Sequence, residues 1–443
     1  MAESILSTAE AEFAAFVAID WADKKHFWRL LEAGSEKPEH GQLDNQPEAV
    51  DVWAAMLYER FQGRPVAVCL EQSRGSLVYM LAKYAHLTLF PVHPKTAAQY
   101  RETFRPSGAK SDSGDTASLL DLLLKHRERL RSLQPDTPET RLLGLLVEGR
   151  RLLVNEKTRQ KNRLTACLKM YFPQLLQWFD AVDSPLVGAV VERFDSLTEM
   201  QRVHAGTLKK FFQEHNCRSE ERIGERIAAI QQAMPATQDA AILEGEGFRA
   251  RALVALIATL RSQIEKFDGR IAELVSQHPE SSLFASLPGA GPALVPRLIV
   301  AFGTRRERWE TAYQMQCFSG IGPVMEASGG NSWVHFRQAC PRFLRQTFHE
   351  FAGQSIKFSE WSRAFYDAQI DRKKSHHAAV RALAFRWIRV IFRCWKARTP
   401  YDEQTYKRSL QRRGSPLVGS FLPTTNVEWK AEAGFQKLSA LPS

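Results

Sequence analysis

The sequence predicts an α/β domain at the start of the chain, followed by a long and almost wholly helical remainder. Three observations carry this. Short apolar runs that each end on a carboxylate, Phe16-Val17-Ala18-Ile19-Asp20 and Pro65-Val66-Ala67-Val68-Cys69-Leu70-Glu71, have the length and composition of buried strands. From about residue 116 to 280 the apolar residues recur at helical spacing. From about 281 onward, helical patterns carry a dense basic charge interleaved with aromatic residues.

The first domain is expected over residues 1–125. After the Asp20 strand, His26 to Ala33 reads as a second strand. Residues 46–62 read as a helix with Val50, Trp53, Leu57 and Phe61 on one face. The Glu71 strand follows, then a short helix around Leu77–Tyr84 and a strand from Leu87 to Val92 that stops before Pro94. An antiparallel beginning with a helix before the second acidic strand is the order of a ribonuclease-H-like sheet. Asp112-Ser-Gly-Asp115 then opens a helix, and a spacing of three puts both aspartates on one helix face.

Two strand-end carboxylates facing a helical pair could hold two hard divalent cations through oxygen ligands. A metal pair roughly 3.5–4 Å apart is a common device for phosphodiester chemistry. Taken singly, each acid also has a plain structural reading, as a turn residue or, for Asp112, an N-cap. The set of Asp20, Glu71, Asp112 and Asp115, in that order within one domain length, favours the metal site.

A helical middle region is expected over 126–280. Thr137-Pro138-Glu139 can start a helix with proline at its first position. That helix carries Arg150, Arg151, Lys157, Arg159, Lys161 and Arg163 against Glu156 alone, either a nucleic-acid face or an exposed helix surface. Leu253, Ile257, Leu260, Ile264, Phe267, Ile271 and Leu274 alternate steps of four and three, a coiled-coil seam over three heptads. The seam could join two subunits or fold back on a helix of its own chain.

A third unit is expected over 281–413. Leu287-Pro-Gly-Ala-Gly-Pro292 resembles the turn of a helix-hairpin-helix element. Free backbone N–H groups at Gly289 and Gly291 could hold a phosphate there, or the segment is a plain interhelical turn. Ser328 is followed by two glycines, so its hydroxyl could be exposed, as a nucleophile toward a nucleic-acid 5′ end or as part of a simple turn. Arg337, Arg342, Arg345, His376, His377 and Arg381 offer donors for a scissile phosphate. From Gly414 the chain reads as a flexible tail, 414–443.

The chain has a net charge of +11, and residues 297–413 alone hold 22 Lys and Arg against 9 Asp and Glu. This basic block, with Trp309, Trp333, Phe336, Phe343, Trp361, Trp387 and Trp395 interleaved, suits phosphate neutralisation and base stacking; the alternative is a basic surface around an aromatic core. No run of eighteen apolar residues is present, so no membrane span is expected. Met1-Ala-Glu-Ser4 lacks the features of a signal peptide. Six widely separated cysteines without a Cys-x-x-Cys pair argue against a zinc ribbon or a disulfide framework and fit the cytoplasm.

Four segments together carry a family resemblance: Val17-Ala-Ile-Asp-Trp-Ala-Asp-Lys-Lys-His26, Lys110-Ser-Asp-Ser-Gly-Asp115, Leu287-Pro-Gly-Ala-Gly-Pro292 and Gly320-Ile-Gly-Pro-Val-Met-Glu-Ala-Ser-Gly329. Over about residues 15–400 the chain resembles the DEDD transposases of bacterial insertion sequences, which join a RuvC-like N-terminal domain to a C-terminal transposase domain with an essential serine. The resemblance places Asp20, Glu71, Asp112 and Asp115 at the acidic tetrad and Ser328 at the serine, in a Gly-x-x-Pro-x-x-x-x-Ser-Gly stretch. Arg372-Lys-Lys-Ser-His-His-Ala-Ala-Val-Arg381 is similar to a histidine-arginine helix of the family. Gly330 departs from the more usual lysine after Ser-Gly.

The resemblance implies a recombinase guided by a structured non-coding bridge RNA that pairs with donor and target DNA. It also implies magnesium (two ions, or manganese) at the tetrad, a phosphoserine intermediate, and a tetramer assembled from dimers with sites shared between subunits. Competing readings are a Holliday-junction resolvase-like nuclease using the tetrad alone, and a non-catalytic nucleic-acid-binding scaffold. A sugar-kinase-like ATPase is disfavoured, because no glycine-rich phosphate loop follows Asp20 or Glu71.

Overall fold

A computed structural model describes residues 12–104 and 112–420. The expected features at Met1–Ser4 and Lys110–Ser111, and the tail from 421, lie outside the described residues. The chain divides between Pro135 and Asp136 into two units.

The first unit is built on a five-stranded sheet in the order β3-β2-β1-β4-β5. Its strands are β1 (Ala15–Asp20), β2 (Lys25–Glu32), β3 (Glu39–Asp44), β4 (Val66–Leu70) and β5 (Leu87–Pro91). β1, β2 and β3 pair antiparallel, whereas β4 and β5 run parallel to β1. This mixed order agrees with the ribonuclease-H-like expectation. Strand residues alternate between two faces. Val17, Ile19, Val66, Val68 and Leu70 pack under helix α1 (Pro47–Arg60), through Val50, Trp53 and Leu57, and under α2 (Ser76–Leu81). On the other face Phe16, Ala18, Ala67, Cys69 and Phe90 meet α3 (Pro94–Phe104) through Ala97. They also meet α4 (Asp112–His126) through Leu119, Leu120, Leu122 and Leu123.

The second unit begins with α5 (Pro138–Tyr171), capped by Thr137, whose side chain accepts the Thr140 N–H, with Pro138 at the expected first position. Five shorter helices follow among the described residues: α6 (Leu175–Trp178), α7 (Pro185–Arg193), α8 (Leu197–Arg202), α9 (Ala205–Glu214) and α10 (Glu220–Gln232). The 38-residue α11 (Ala240–Gln277) packs along α5. The seam resolves here: its buried positions Leu253, Ile257, Ile264 and Ile271 fold back within the chain.

The last part holds α12 (Ser281–Ala285), α13 (Val295–Phe302), α14 (Ala312–Phe318), strands β6 (Val324–Ser328) and β7 (Asn331–His335), α15 (Arg342–Phe358), α16 (Glu360–Asp371), α17 (His376–Ala397) and α18 (Glu403–Arg412). The expected boundary near 280 is not a break in packing. α5 contributes Leu143 and Val147 to the core of this last part, and Leu164, Leu168 and Tyr171 to the core of the shorter helices. The stretch from Gly414 departs from the expected tail at its start. Pro416–Ser420 form a short 3-10 turn, and Leu417 is buried.

Candidate nuclease site and basic hairpin domain

The β1–β4 ladder ends with Ile19 opposite Leu70, so Asp20 and Glu71 follow side by side at the ends of neighbouring parallel strands. Adjacent strands lie about 4.8 Å apart, and residues in register point to the same face. That face is the one Ala18 and Cys69 share, against which α4 packs. Asp115, in the first turns of α4, is only 4% exposed. It lines one pocket with Glu71, Tyr100, Arg101 and Ser118. Three of the four predicted acids are thereby brought to one end of one sheet face. Asp112 begins α4, and its side chain lies outside the described part of the structure.

Two arginines absent from the sequence reading shape this site. Arg101, in the last turn of α3, donates from Nη1 to Asp115 Oδ1 at 2.6 Å. Arg29, on β2 opposite Ala18, donates from Nη2 to Ser113 Oγ at 3.0 Å and ties the first turn of α4 to the sheet. The hydrogen bond to Asp115, with Glu71 acting more weakly through space, holds Arg101 more firmly protonated than an ordinary arginine. Burial, and then the negative charge of Glu71, push the Cys69 thiol up to about 12, which leaves it an inert part of the core. Only the packing of α3 brings Arg101 here, and neither arginine falls in a motif.

The carboxylates form a hard-oxygen donor set of the kind divalent magnesium or manganese prefers. Among the described residues, no three His, Cys, Asp or Glu side chains gather closely enough to hold an ion. Asp115 is engaged by Arg101. The donor chemistry fits a divalent ion, provided that Arg101 releases Asp115.

Four of the six cations of the basic stripe on α5 pair with three carboxylates of the same chain, which leaves the stripe a net positive charge. Arg150 pairs with Asp268, Lys157 and Lys161 both reach Asp183 at 3.0 and 3.4 Å, Arg159 pairs with Glu156, and Arg163 bonds Gln160. Burial holds Arg151 below the usual arginine range. The two helix-hairpin-helix glycines differ: Gly289 packs inward, whereas a Cβ added at Gly291 would meet nothing within 4 Å. The N–H of Ala290 bonds Leu287 O and that of Gly291 bonds Gly289 O, both at 3.0 Å, so these donors are not free for a phosphate. Gly289 has a φ of +81°, and an added Cβ would come within 3.1 Å of the Gln354 backbone, so the turn is pressed against α15.

The aromatic block separates into two sets. Trp309, Trp361, Trp387 and Trp395 are buried in the core, where Trp387 Nε1 bonds Ser355 Oγ and Trp395 Nε1 bonds Gly303 O. Trp333 and Phe336 remain exposed. Ser328 closes β6 and pairs with Asn331. Gly329 and Gly330, at φ +56° and +84°, form the two-residue turn between them. Positive φ at both turn positions is the type I′ geometry that matches the strand twist, which is why two glycines stand there. The hairpin is exposed along nearly its whole length, and Ser328 sits at its tip.

Residues 17–173 match a family model described as a transposase of the DEDD IS110 type, and residues 281–367 match one described as "Transposase IS116/IS110/IS902 family". The first match covers the acidic domain and runs on through α5, the second covers the segment that holds Ser328, and together they span more than half of the chain.

The chain belongs to the IS110 family of DEDD transposases. Its similarity to curated relatives runs nearly end to end. It is 24% identical over 407 residues to a mini-circle putative transposase for IS117 of Streptomyces coelicolor, covering 89% of this chain and 97% of the relative. It is 24% identical over 394 residues to the IS110 insertion-element protein of 43.6 kDa from the same species, covering 88% and 96%. It is 21% identical over 397 residues to an IS900 insertion-element protein of Mycobacterium paratuberculosis, covering 88% and 98%. This IS110-family chain is therefore an insertion-element transposase, an enzyme that acts on DNA and whose DEDD domain implies dependence on divalent metal. No helix among the described residues is long and apolar enough to cross a membrane.

Proposed function

We propose that this transposase is a DNA recombinase that joins a metal-binding acidic tetrad to serine chemistry, guided by a structured RNA. The observation that carries the reading is the register of β1 and β4, which sets Asp20 beside Glu71 on the face that receives Asp115. Asp20, Glu71, Asp112 and Asp115 would hold the divalent ions, magnesium or manganese. Bound there, the ions supply Lewis-acid stabilisation of charge on phosphate oxygens.

The serine does the covalent work. Ser328 Oγ attacks a phosphodiester, the Oγ proton departs, the Oγ–P bond forms, and the bond to the 3′ oxygen breaks. The 3′ oxygen takes up a proton and leaves as a hydroxyl, and the 5′ end remains on the serine. The reverse attack by a different 3′ hydroxyl rejoins the strand. The exposed tip position of Ser328, followed by two glycines, supports this reading because it lets a DNA strand approach closely. Sequence choice lies with a bridge RNA that pairs with donor and target DNA, and the working particle is a tetramer of paired dimers.

The test is covalent capture. Protein, its flanking non-coding RNA, magnesium and DNA carrying the element junction are mixed, beside Ser328→Ala and Asp20→Ala variants. The expected result is a protein–DNA adduct lost in both variants. Cleavage that survives Ser328→Ala without an adduct would favour the resolvase-like nuclease instead.

A further inference from the structure

Immediately after β7, at the base of the hairpin, Phe336 contacts two guanidinium groups. The Arg345 Cζ lies 4.7 Å from its ring centroid and the Arg381 Cζ 4.8 Å. Each is within cation–π range, so one phenyl ring fixes the positions of two cations from different helices, α15 and α17. The cluster extends through His349, whose ring centroid lies 5.5 Å from that of His377, with His376 5.2 Å beyond. Arg345 also donates to the Arg337 carbonyl at 3.3 Å.

Among the described residues no carboxylate pairs with Arg337, Arg345 or Arg381, and Glu350, the acid next to His349, is taken by Arg297. The first turn of α17 has no acidic residue and no side-chain cap. Burial first, and then the neighbouring His377, Arg381 and His376 against the weaker opposing pull of Glu350, hold His349 below the usual histidine range. Cations held together without a counter-charge repel one another, and an anion with several oxygen acceptors relieves that cost.

The register of the hairpin says which anion. Ser328 pairs with Asn331 at the tip, and Val324 pairs with His335 at the base. Four residues of strand at about 3.3 Å each separate the two ends by roughly 13 Å. An arginine held on Phe336 does not reach a phosphate bonded to Ser328 across that length. About four rises of a B-form strand at ~3.4 Å cover the same distance, and fewer nucleotides suffice if the strand is drawn out.

We propose that Phe336, Arg345, Arg381 and the His349–His377 pair form a phosphate-anchoring site. It grips the DNA strand two to four nucleotides from the bond that Ser328 attacks. This rests on the serine reading above. It also gives Arg345, His377 and Arg381 a positioning role, in place of direct contact with the scissile phosphate.

A methylphosphonate scan tests it. A single uncharged linkage is moved along the junction DNA strand, and binding is measured with the RNA-loaded Ser328→Ala protein, so that chemistry does not interfere. The expected profile has its weakest binding, about tenfold or more below the unmodified strand, two to four linkages from the cleaved bond. That minimum disappears in an Arg345→Gln/Arg381→Gln protein whose melting temperature is unchanged, and Phe336→Leu makes it shallower. A minimum at the cleaved linkage, an unaltered profile in the double variant, or a minimum seen only when the RNA strand is scanned would overturn the proposal. Cleavage that persists with Ser328→Ala is a separate failure, of the serine reading, and appears in the cleavage assay and not in the binding scan.

Discussion

Replacing Arg101 by glutamine should make the acidic site bind divalent metal more tightly. Arg101 Nη1 sits 2.6 Å from Asp115, whose side chain is 4% exposed against 22% for Arg101. A hydrogen bond between charged groups contributes roughly 1.5–3 kcal/mol, and the guanidinium also places a positive charge within range of Glu71. A metal ion that uses Asp115 must first displace this partner, and in Arg101→Gln it does not. At about 1.4 kcal/mol per factor of ten, Mn2+ affinity should rise roughly ten- to hundredfold. The same substitution leaves a buried carboxylate unpaired. In chelator the N-terminal unit should lose about 2–4 kcal/mol, somewhat less than for a fully buried pair, and much of the loss should return when Mn2+ is added. Calorimetric titration with Mn2+, beside thermal melts in chelator and in Mn2+, reads both effects. Equal or weaker Mn2+ binding by the variant would refute the idea that Arg101 occupies the metal's place on Asp115.

Three further outcomes follow from named residues. Gly329→Ala with Gly330→Ala forces two side chains into positive φ, at about 1–2 kcal/mol each. Both hairpin strands are exposed and no atom lies within 4 Å of either added Cβ, so the strain opens the hairpin locally: adduct yield should fall while the global melting temperature stays put; an unchanged yield would detach the turn from function. His26 is fully buried and His86 nearly so, and burial lowers both pKa values. Their unfolded states take up protons first, so stability should be complete above about pH 6.5 and decline as pH falls through the lowered values, by up to ~1.4 kcal/mol per group per pH unit. Urea melts from pH 7.5 to 5.5 that show no decline would contradict this. Finally, if sites are shared between subunits, mixing Ser328→Ala with Asp20→Ala protein should restore part of the adduct that each lacks alone; no recovery would confine the site to a single chain.

The elements nearest the acidic site were legible because burial writes itself into apolar runs. The strands ending at Asp20 and Glu71 are continuous apolar segments with both faces covered, and the 46–62 helix showed its face through Val50, Trp53 and Leu57. β3 was missed because only Leu43 of its six residues is buried. The β6–β7 hairpin shows in the sequence only as a turn, since both faces are exposed and alternation has nothing to record. Charge was the least readable signal. Lys157 and Lys161 looked free until Asp183 came within 3.0 and 3.4 Å from another helix connection. Arg101 gave no sign of meeting Asp115 fourteen residues on. Composition counts charges but does not say which are paired, and four tryptophans of the basic block proved to be its core.

In the proposed reaction Ser328 carries the DNA. The most direct measurement is mass spectrometry of the trapped adduct after digestion of both protein and DNA. The expected result is a nucleotide phosphate on the peptide containing Ser328, joined through the 5′ phosphate, formed only with magnesium or manganese and absent in Asp20→Ala. A modification on any other residue, or cleaved DNA with no modified peptide at all, would contradict it.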